Sequence, residues 1–382
     1  MVSISEHPTV SQSDKPGSNN IRDFDAQASS LGNAADISAA NRNRVRKFRA
    51  LDYARQLLQR YDVRNTKGKI PHRTRFCFAR RARKANRVVI KLNNNDINSE
   101  ASIGNVQTCG SVWSCPVCAS RIAVKKGYFV KNTIAWAKHN KLIPVMVSVT
   151  ARHHAGMPLE DLKARFIATW RDFTNRRAWK AFKLNFGVEH WIANREVTHG
   201  ENGWHYHMHF LVFLDRKRLA LMGSEALEEK LTTNWLHCLK RHDLNGLPDY
   251  ALKVSAHGDV GSSYLTKMGL TVSETDDNLK YELTGSMNKR GSRTVWDILR
   301  HAYYGDANSE RLYVEYVIAM QGDNFITTSH GLTDCVENFL DEFPEEPTET
   351  KEMHDWLTMS DDIWRIVADA YAMHRVIDCA AR

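Results

Sequence analysis

The stretch Gly203-Trp204-His205-Tyr206-His207-Met208-His209-Phe210-Leu211-Val212 decides how the chain is read. From Trp204 to Phe210, aromatic or apolar residues alternate with histidine, which is the two-residue period of a β-strand. Alternate side chains of a strand share a face. His205, His207 and His209 therefore project one way, and Tyr206, Met208 and Phe210 go to the opposite, buried face. Imidazoles two residues apart stand ~7 Å apart at their roots, so both can lean to one cation. The turn His199-Gly200-Glu201-Asn202-Gly203 joins this strand to another at 188–198 and brings Glu196 beside the histidines as a third ligand. Histidine pairs suit transition metals, and an added carboxylate oxygen broadens the site toward Mn²⁺ or Mg²⁺. Three histidines decorating a solvated sheet face are the plainer alternative. A metallohydrolase of the H-x-H-x-D-H kind fails because His209 stands where that motif needs aspartate, and no H-E-x-x-H helix is present.

Working outward, residues 142–150 (LIPVMVSVT) are apolar and β-branched, as in a buried strand, and 159–182 hold Leu162, Phe166, Trp170 and Phe173 at helical steps. After the hairpin come a helix at 224–242, a short strand at 250–256 and a helical turn or two at 262–269. The order β-α-β-β-α-β-α predicts an α+β fold: a ferredoxin-like antiparallel sheet with helices on one face. Residues 48–61 and 119–140 read as helices. Residues 276–382 read as mostly helical, at 295–304, 310–320 and 362–379. The expected layout is a disordered lead-in at 1–42, a basic cysteine-rich region at 43–140, the sheet domain at 141–275 and a helical region at 276–382.

The chain has 382 residues, 42% hydrophobic and 25% charged, enough for a sizeable core and for more than one unit. Its longest mostly apolar run, 142–151, falls short of the ~20 residues of a membrane span. The first twenty residues lack the apolar segment of an export signal, so a cytoplasmic location and no membrane partner are expected. The net charge is +9 and uneven: residues 42–91 hold 18 Lys or Arg against Asp52 and Asp62, whereas 331–362 hold 11 acids against Lys351. So lopsided a run, interleaved with Phe48, Tyr53, Tyr61, Phe76 and Phe78, points to nucleic-acid phosphates rather than to a face built on ion pairs. Arg44, Arg46, Lys47, Arg49, Arg80, Arg81, Arg83 and Lys84 are the expected contacts. Seven cysteines in a chain without an export signal read as metal ligands or core thiols. Cys115-Pro116-Val117-Cys118 with Cys109 and Cys77 makes a four-thiolate structural Zn²⁺ site, while a redox C-x-x-C lacks its βαβ setting. Cys238, Cys335 and Cys379 read as core thiols.

In Gly261-Ser262-Ser263-Tyr264-Leu265-Thr266-Lys267, a helix puts Tyr264 and Lys267 on one face. Alone, Y-x-x-K is most often a buried tyrosine with a surface lysine. Following the histidine strand by one helix and one strand, it becomes a phenol that a nearby cation can activate. Together these residues resemble the HUH endonucleases, specifically the rolling-circle replication initiators of small bacterial plasmids. His207-Met208-His209 matches the family's His-hydrophobic-His strand, Glu196 falls at its third ligand, and Tyr264 with Lys267 falls at its nucleophile helix. A C-P-x-C run followed by basic residues precedes the catalytic part in these initiators too.

The resemblance implies a metal-dependent nick in one strand of plasmid origin DNA, single-stranded or extruded at the nick, in a bacterial cytoplasm. It also implies a 5′-phosphotyrosyl intermediate, a free 3′-OH for a host polymerase, and a host helicase as partner. Some members place a glutamate shortly before the tyrosine; here Val260 stands four residues upstream and Asp259 five, so Asp259 is the candidate. The rivals are a relaxase or transposase of the same superfamily, and a non-catalytic zinc-dependent DNA-binding regulator. Relaxases usually place the tyrosine ahead of the histidine strand, and such transposases lack the cysteine-rich front.

Overall fold

In a computed structural model, residues 39–93, 100–222, 224–256, 291–343 and 352–381 are described. The β-branched run over 142–150 forms β3 (Leu142–Thr150), and the alternating stretch forms β5 (Gly203–Asp215). With β4 (Trp191–Gly200), β6 (Leu252–Ser255) and β7 (Ile326–Thr328) they make a five-stranded sheet in the order β6-β3-β5-β4-β7, every neighbour antiparallel. The β4–β5 hairpin closes tightly, with Gly200 paired to Gly203. Gly203 has φ +83°, and a Cβ there would lie 2.8 Å from the Ala155 Cα, so the turn requires glycine.

One face of the sheet packs Val145, Val147 and Val149, with Tyr206, Met208, Phe210 and Val212, against α3 (Leu159–Asn175) and α6 (Ser224–Arg241). The Trp170 ring stacks on Phe210 at 3.8 Å between centroids. Buried Trp235 donates its indole N–H to the Thr150 carbonyl at 2.9 Å. Two further helices, α8 (Val295–Tyr303) and α9 (Ala307–Ala319), extend this core.

Helices lie on both faces, which corrects the one-face expectation. Met146, Ile192, Leu211 and Phe213 pack under α2 (Pro116–His139) and α10 (Leu332–Glu342). The reason lies in Leu211-Val212-Phe213-Leu214, an apolar run that shows hydrophobic side chains to both faces and needs cover on each. Only the histidine half of that second face is polar.

The cysteine-rich front has its own core. Helix α1 (Ala39–Arg60) and a 3₁₀ turn (Arg73–Phe76) pack with a sheet in the order β2-β1-β8. Its strands are β1 (Val88–Asn93), β2 (Ala101–Gly104) and β8 (Met353–Met359). Residues 276–382 therefore differ from the single helical region expected: β7 joins one sheet and β8 the other. The helix expected at 362–379 is two, α11 (Asp361–Asp369) and α12 (Met373–Ala381), broken where Tyr371 takes φ +52°. Trp364 of α11 is fully buried and donates to the Phe78 carbonyl at 2.8 Å. Buried Asp52 accepts from His374 at 2.9 Å, tying α12 to α1.

Smaller differences are a break at Arg176, which starts α4 (Arg177–Phe186), and a helical turn, α7 (Pro248–Ala251), ahead of β6. A short α5 (Arg216–Met222) follows β5. The twelve α-helices among the described residues and the two antiparallel sheets make the fold mixed α+β. The turn expected at 262–269 and most of the lead-in lie outside the described residues, while 39–42 begin α1. No helix among the described residues is long and apolar enough to cross a membrane.

Trp364→Ala removes a buried indole and orphans the Phe78 carbonyl. The expected loss is about 3–5 kcal/mol, read as a lowered urea midpoint for the unfolding phase of the front core.

Candidate functional site

Strand pairing sets the site. Across β3, β5 and β4 the partners run Ser148–His209–Asn194 and Thr150–His207–Glu196, and His205 faces Thr198. Directly paired residues share a face, so all of these side chains lie on the half of the second face that α2 and α10 leave uncovered. The polar–apolar boundary falls between His209 and Leu211.

The Glu196 Oε2 lies 2.7 Å from the His207 Nε2 and 3.2 Å from the His209 Nε2. The three ligand atoms sit within 4.8 Å of one another, the spacing of a group able to hold one ion. Burial raises the Glu196 pKa, but the charge of His207 and the hydrogen bonds from both imidazoles outweigh it. The carboxyl is held well below the usual carboxylate range and is an anion. His209 is nearly buried, and its Nδ1 meets the Ser148 Oγ at 2.7 Å, which turns its Nε2 toward Glu196. The His207 Nδ1, the Thr150 Oγ1 and both amide atoms of Asn194 are buried and without hydrogen-bond partners among the described residues. So much unmet polarity around one acidic group fits a site built for an ion and its oxygen ligands.

Of the sequence-derived set, His207, His209 and Glu196 come together and His205 does not. The His205 ring instead lies 4.7 Å from that of His207 and 4.9 Å from that of His153, extending the imidazole row toward the hairpin tip. Tyr264, Lys267 and Asp259 lie outside the described residues. The flanking chain ends on the same sheet: Ser255 of β6 pairs with Met146, and Arg293 pairs with His199. Ser148, Thr150 and Asn194 were missed in the sequence, although the alternation Val147-Ser148-Val149-Thr150 already marks one face of β3 as polar.

The second group is Cys77, Cys109, Cys115 and Cys118, all buried, with sulfurs within 4.8 Å of one another. Cys77 lies 3.6 Å from both Cys115 and Cys118, and Cys109 lies 3.7 Å from Cys118. Tetrahedral ligands at a Zn–S distance of ~2.3 Å stand about 3.8 Å apart, so the spacing suits a zinc-like ion. Cys77 follows the 3₁₀ turn, Cys109 follows β2, and Cys115 caps α2 while Cys118 sits in its first turn. Backbone N–H groups of Cys109, Ser111 and Cys118 donate to the Cys77, Cys109 and Cys115 sulfurs, as a thiolate cage requires. Hydrogen bonds with Cys109, Cys115 and Cys77 hold the Cys118 thiol far below its ordinary pKa. Of the expected core thiols, only Cys238 is buried, and burial pushes it up to about 11; Cys335 is half-buried and Cys379 exposed.

The basic residues divide. Arg44 pairs with Glu100 at 2.6 Å and bonds the Ala101 carbonyl at 3.0 Å, and Lys47 bonds the Ser120 Oγ at 2.7 Å. Both tie α1 to its neighbours. Arg81 stands 3.9 Å from Asp361, and the Arg80 guanidinium lies over the Phe76 ring at 3.7 Å. Arg46 and Arg49 are part-buried on α1, while Arg83 and Lys84 are exposed, as are Lys67 and Lys69 on the loop between Arg64 and Pro71.

No family profile and no solved structure matches this chain. A Streptomyces cyanogenus protein described as "Neomycin resistance protein" is 27% identical over 150 residues, covering 32% of this chain. The match spans 34% of that protein's length.

Purified protein is expected to contain one tightly held zinc per chain by elemental analysis, and Cys77→Ala and Cys115→Ala to lose it. Cobalt substitution should give the thiolate charge-transfer band of a tetrahedral four-sulfur site, absent from both variants.

Proposed function

We propose that this chain is a rolling-circle plasmid replication initiator of the HUH kind, nicking one strand of origin DNA by a metal-dependent transesterification. The observation that carries the reading is the Glu196–His207–His209 group on the polar half of one face of an antiparallel sheet. The order β6-β3-β5-β4 supports it, being the split-βαβ order of a ferredoxin-like sheet with β7 added at one edge.

Glu196, His207 and His209 would hold a divalent cation, Mn²⁺ or Mg²⁺, which would supply Lewis acidity to the scissile phosphate. Ser148 keeps the His209 ring aimed. The Tyr264 phenol oxygen attacks phosphorus, with Lys267 stabilising its developing negative charge. The bond to the 3′ oxygen breaks, that oxygen leaves with the proton the phenol gave up, and a 5′-phosphotyrosyl ester forms. One phosphate ester replaces another, so the bond is kept for rejoining, and the free 3′-OH is the primer for a host polymerase. Asp259 is the base for a terminating hydrolysis. The four-cysteine unit and the exposed cations, Arg83 and Lys84 among them, grip origin duplex through its phosphates while a host helicase opens it.

Denaturing electrophoresis of protein incubated with labelled origin oligonucleotide and Mn²⁺ tests this. The expected result is a covalent DNA-shifted band, absent in Tyr264→Phe although origin binding is kept. An adduct that survives in Tyr264→Phe removes Tyr264 as nucleophile. DNA binding without any adduct in the wild type leaves the zinc-dependent regulator.

Ser148→Ala frees the His209 ring without removing a ligand. It is expected to weaken Mn²⁺ binding by about 10–100-fold, measured by calorimetry, and to raise the Mn²⁺ needed for half-maximal nicking in parallel.

A further inference from the structure

We infer that Thr150 is a positioning residue of the proposed ion site: its hydroxyl accepts a hydrogen bond from the His207 Nδ1–H once Glu196, His207 and His209 close on a cation. The sheet ladder supplies the first argument. Thr150 pairs with His207, and Ser148 with His209, in one continuous β3–β5 register. Antiparallel pairs alternate in kind from one residue to the next, so pairs two residues apart are alike and present their side chains alike. On one of these pairs the Ser148 Oγ already meets the His209 Nδ1 at 2.7 Å. A hydroxyl on the next like pair can reach the His207 Nδ1 in the same way.

Both atoms of that second pair are unmet. The Thr150 Oγ1 and the His207 Nδ1 are buried and have no hydrogen-bond partner among the described residues. Such orphans are destabilising unless some state of the protein uses them. The Trp235 indole holds the Thr150 carbonyl at 2.9 Å, which leaves the side chain uninvolved. Threonine is β-branched, so one rotation about χ1 exchanges its hydroxyl with its methyl and leaves the strand where it is.

The other side of the ring gives the direction of change. Strand β5 lies between β3 and β4, so His207 has Thr150 on one flank and Glu196 on the other. Its Nε2 stands 2.7 Å from the Glu196 Oε2, whereas the His209 Nε2 stands 3.2 Å from the same oxygen. Adjacent ligands of an octahedral ion with bonds of ~2.1 Å lie about 3 Å apart. The ring that has its hydroxyl partner is thus at ligand spacing, and the ring without one has closed on the carboxylate. An ion spreads the closer pair and sets His207 back toward β3. A metal-bound Nε2 leaves the ring's hydrogen on Nδ1, where it needs an acceptor, and the Thr150 hydroxyl stands on that side.

The inference rests on the ion-binding role proposed for this group, and its test reads binding rather than cleavage. Full-length protein is titrated with Mn²⁺ by calorimetry, with Glu196→Gln reporting any binding elsewhere. Thr150→Val keeps the side chain's shape without its hydroxyl and is expected to bind Mn²⁺ about 10–100-fold more weakly. Thr150→Ser should recover most of the affinity. Without Mn²⁺, Thr150→Val is expected to melt no lower than the wild type, since it loses only an unpaired buried hydroxyl. A residue that merely supported the fold would lower that temperature. The inference is overturned by Thr150→Val binding Mn²⁺ like the wild type, by Thr150→Ser losing as much as Thr150→Val, or by a lowered Mn²⁺-free melting temperature alongside the loss. A wild type that takes up no Mn²⁺ beyond Glu196→Gln overturns the ion site and both readings with it. Mn²⁺ binding that depends on the Thr150 hydroxyl, in a protein that forms no tyrosyl adduct, sinks the nicking proposal and leaves this inference standing.

Discussion

The two-residue closure of the β4–β5 hairpin fixes which residue of β4 faces which residue of β5, and the site follows from that pairing. With Gly200 opposite Gly203, Glu196 must face His207 and Asn194 must face His209. A slip of one residue would turn every side chain of one strand to the other face. The imidazoles would then enter the core that holds Phe166, Phe173 and Trp235, and Met208 and Phe210 would meet water. The hydrophobic packing of Tyr206, Met208 and Phe210 therefore enforces the register that the polar face uses. Stability on one side of the sheet and geometry on the other are one constraint.

The second face shows how the constraint is limited in extent. Along β5 the same face changes from His205, His207 and His209 to Leu211 and Phe213 within a single strand step. The covering helices stop where apolar side chains stop, since burying imidazoles and a carboxylate without partners is costly. The open ground is thus defined by what α2 and α10 have no reason to cover. Within it, the Thr150 hydroxyl and Asn194 amide mark places where the described residues leave hydrogen bonding incomplete.

Much of this was legible before any coordinates. The histidine alternation, the hairpin, Glu196 and the Cys115–Cys118 pair follow from periods and spacings that local physics makes strict, whereas Cys77, far upstream, was only a candidate for the fourth thiol. What was not legible depends on distant partners. Strand β8 (MHDWLTM) shows no clean alternation and exists because β1 offers it an edge, and three-residue β7 pairs with β4 and packs Ile326 on the second face. The split of 159–182 at Arg176 and the break before α12 are choices of packing, not of propensity. His205 looks equivalent to its neighbours in the sequence, and only the placement of one carboxylate oxygen separates it from them. That Arg44 meets Glu100 and Lys47 meets Ser120 is likewise set by distant partners.

Helix α2 belongs to both halves of the molecule. Its N-cap is Cys115 and its first turn holds Cys118, and three to five turns further on its Val130, Ile134 and Trp136 roof the apolar part of the sheet. An ion gripped by the four sulfurs would therefore clamp one end of a beam whose other end presses on the strands bearing His209 and Glu196. Stripping that ion would loosen the roof as well as the front, so a reagent that never approaches the imidazoles would still disturb their footing.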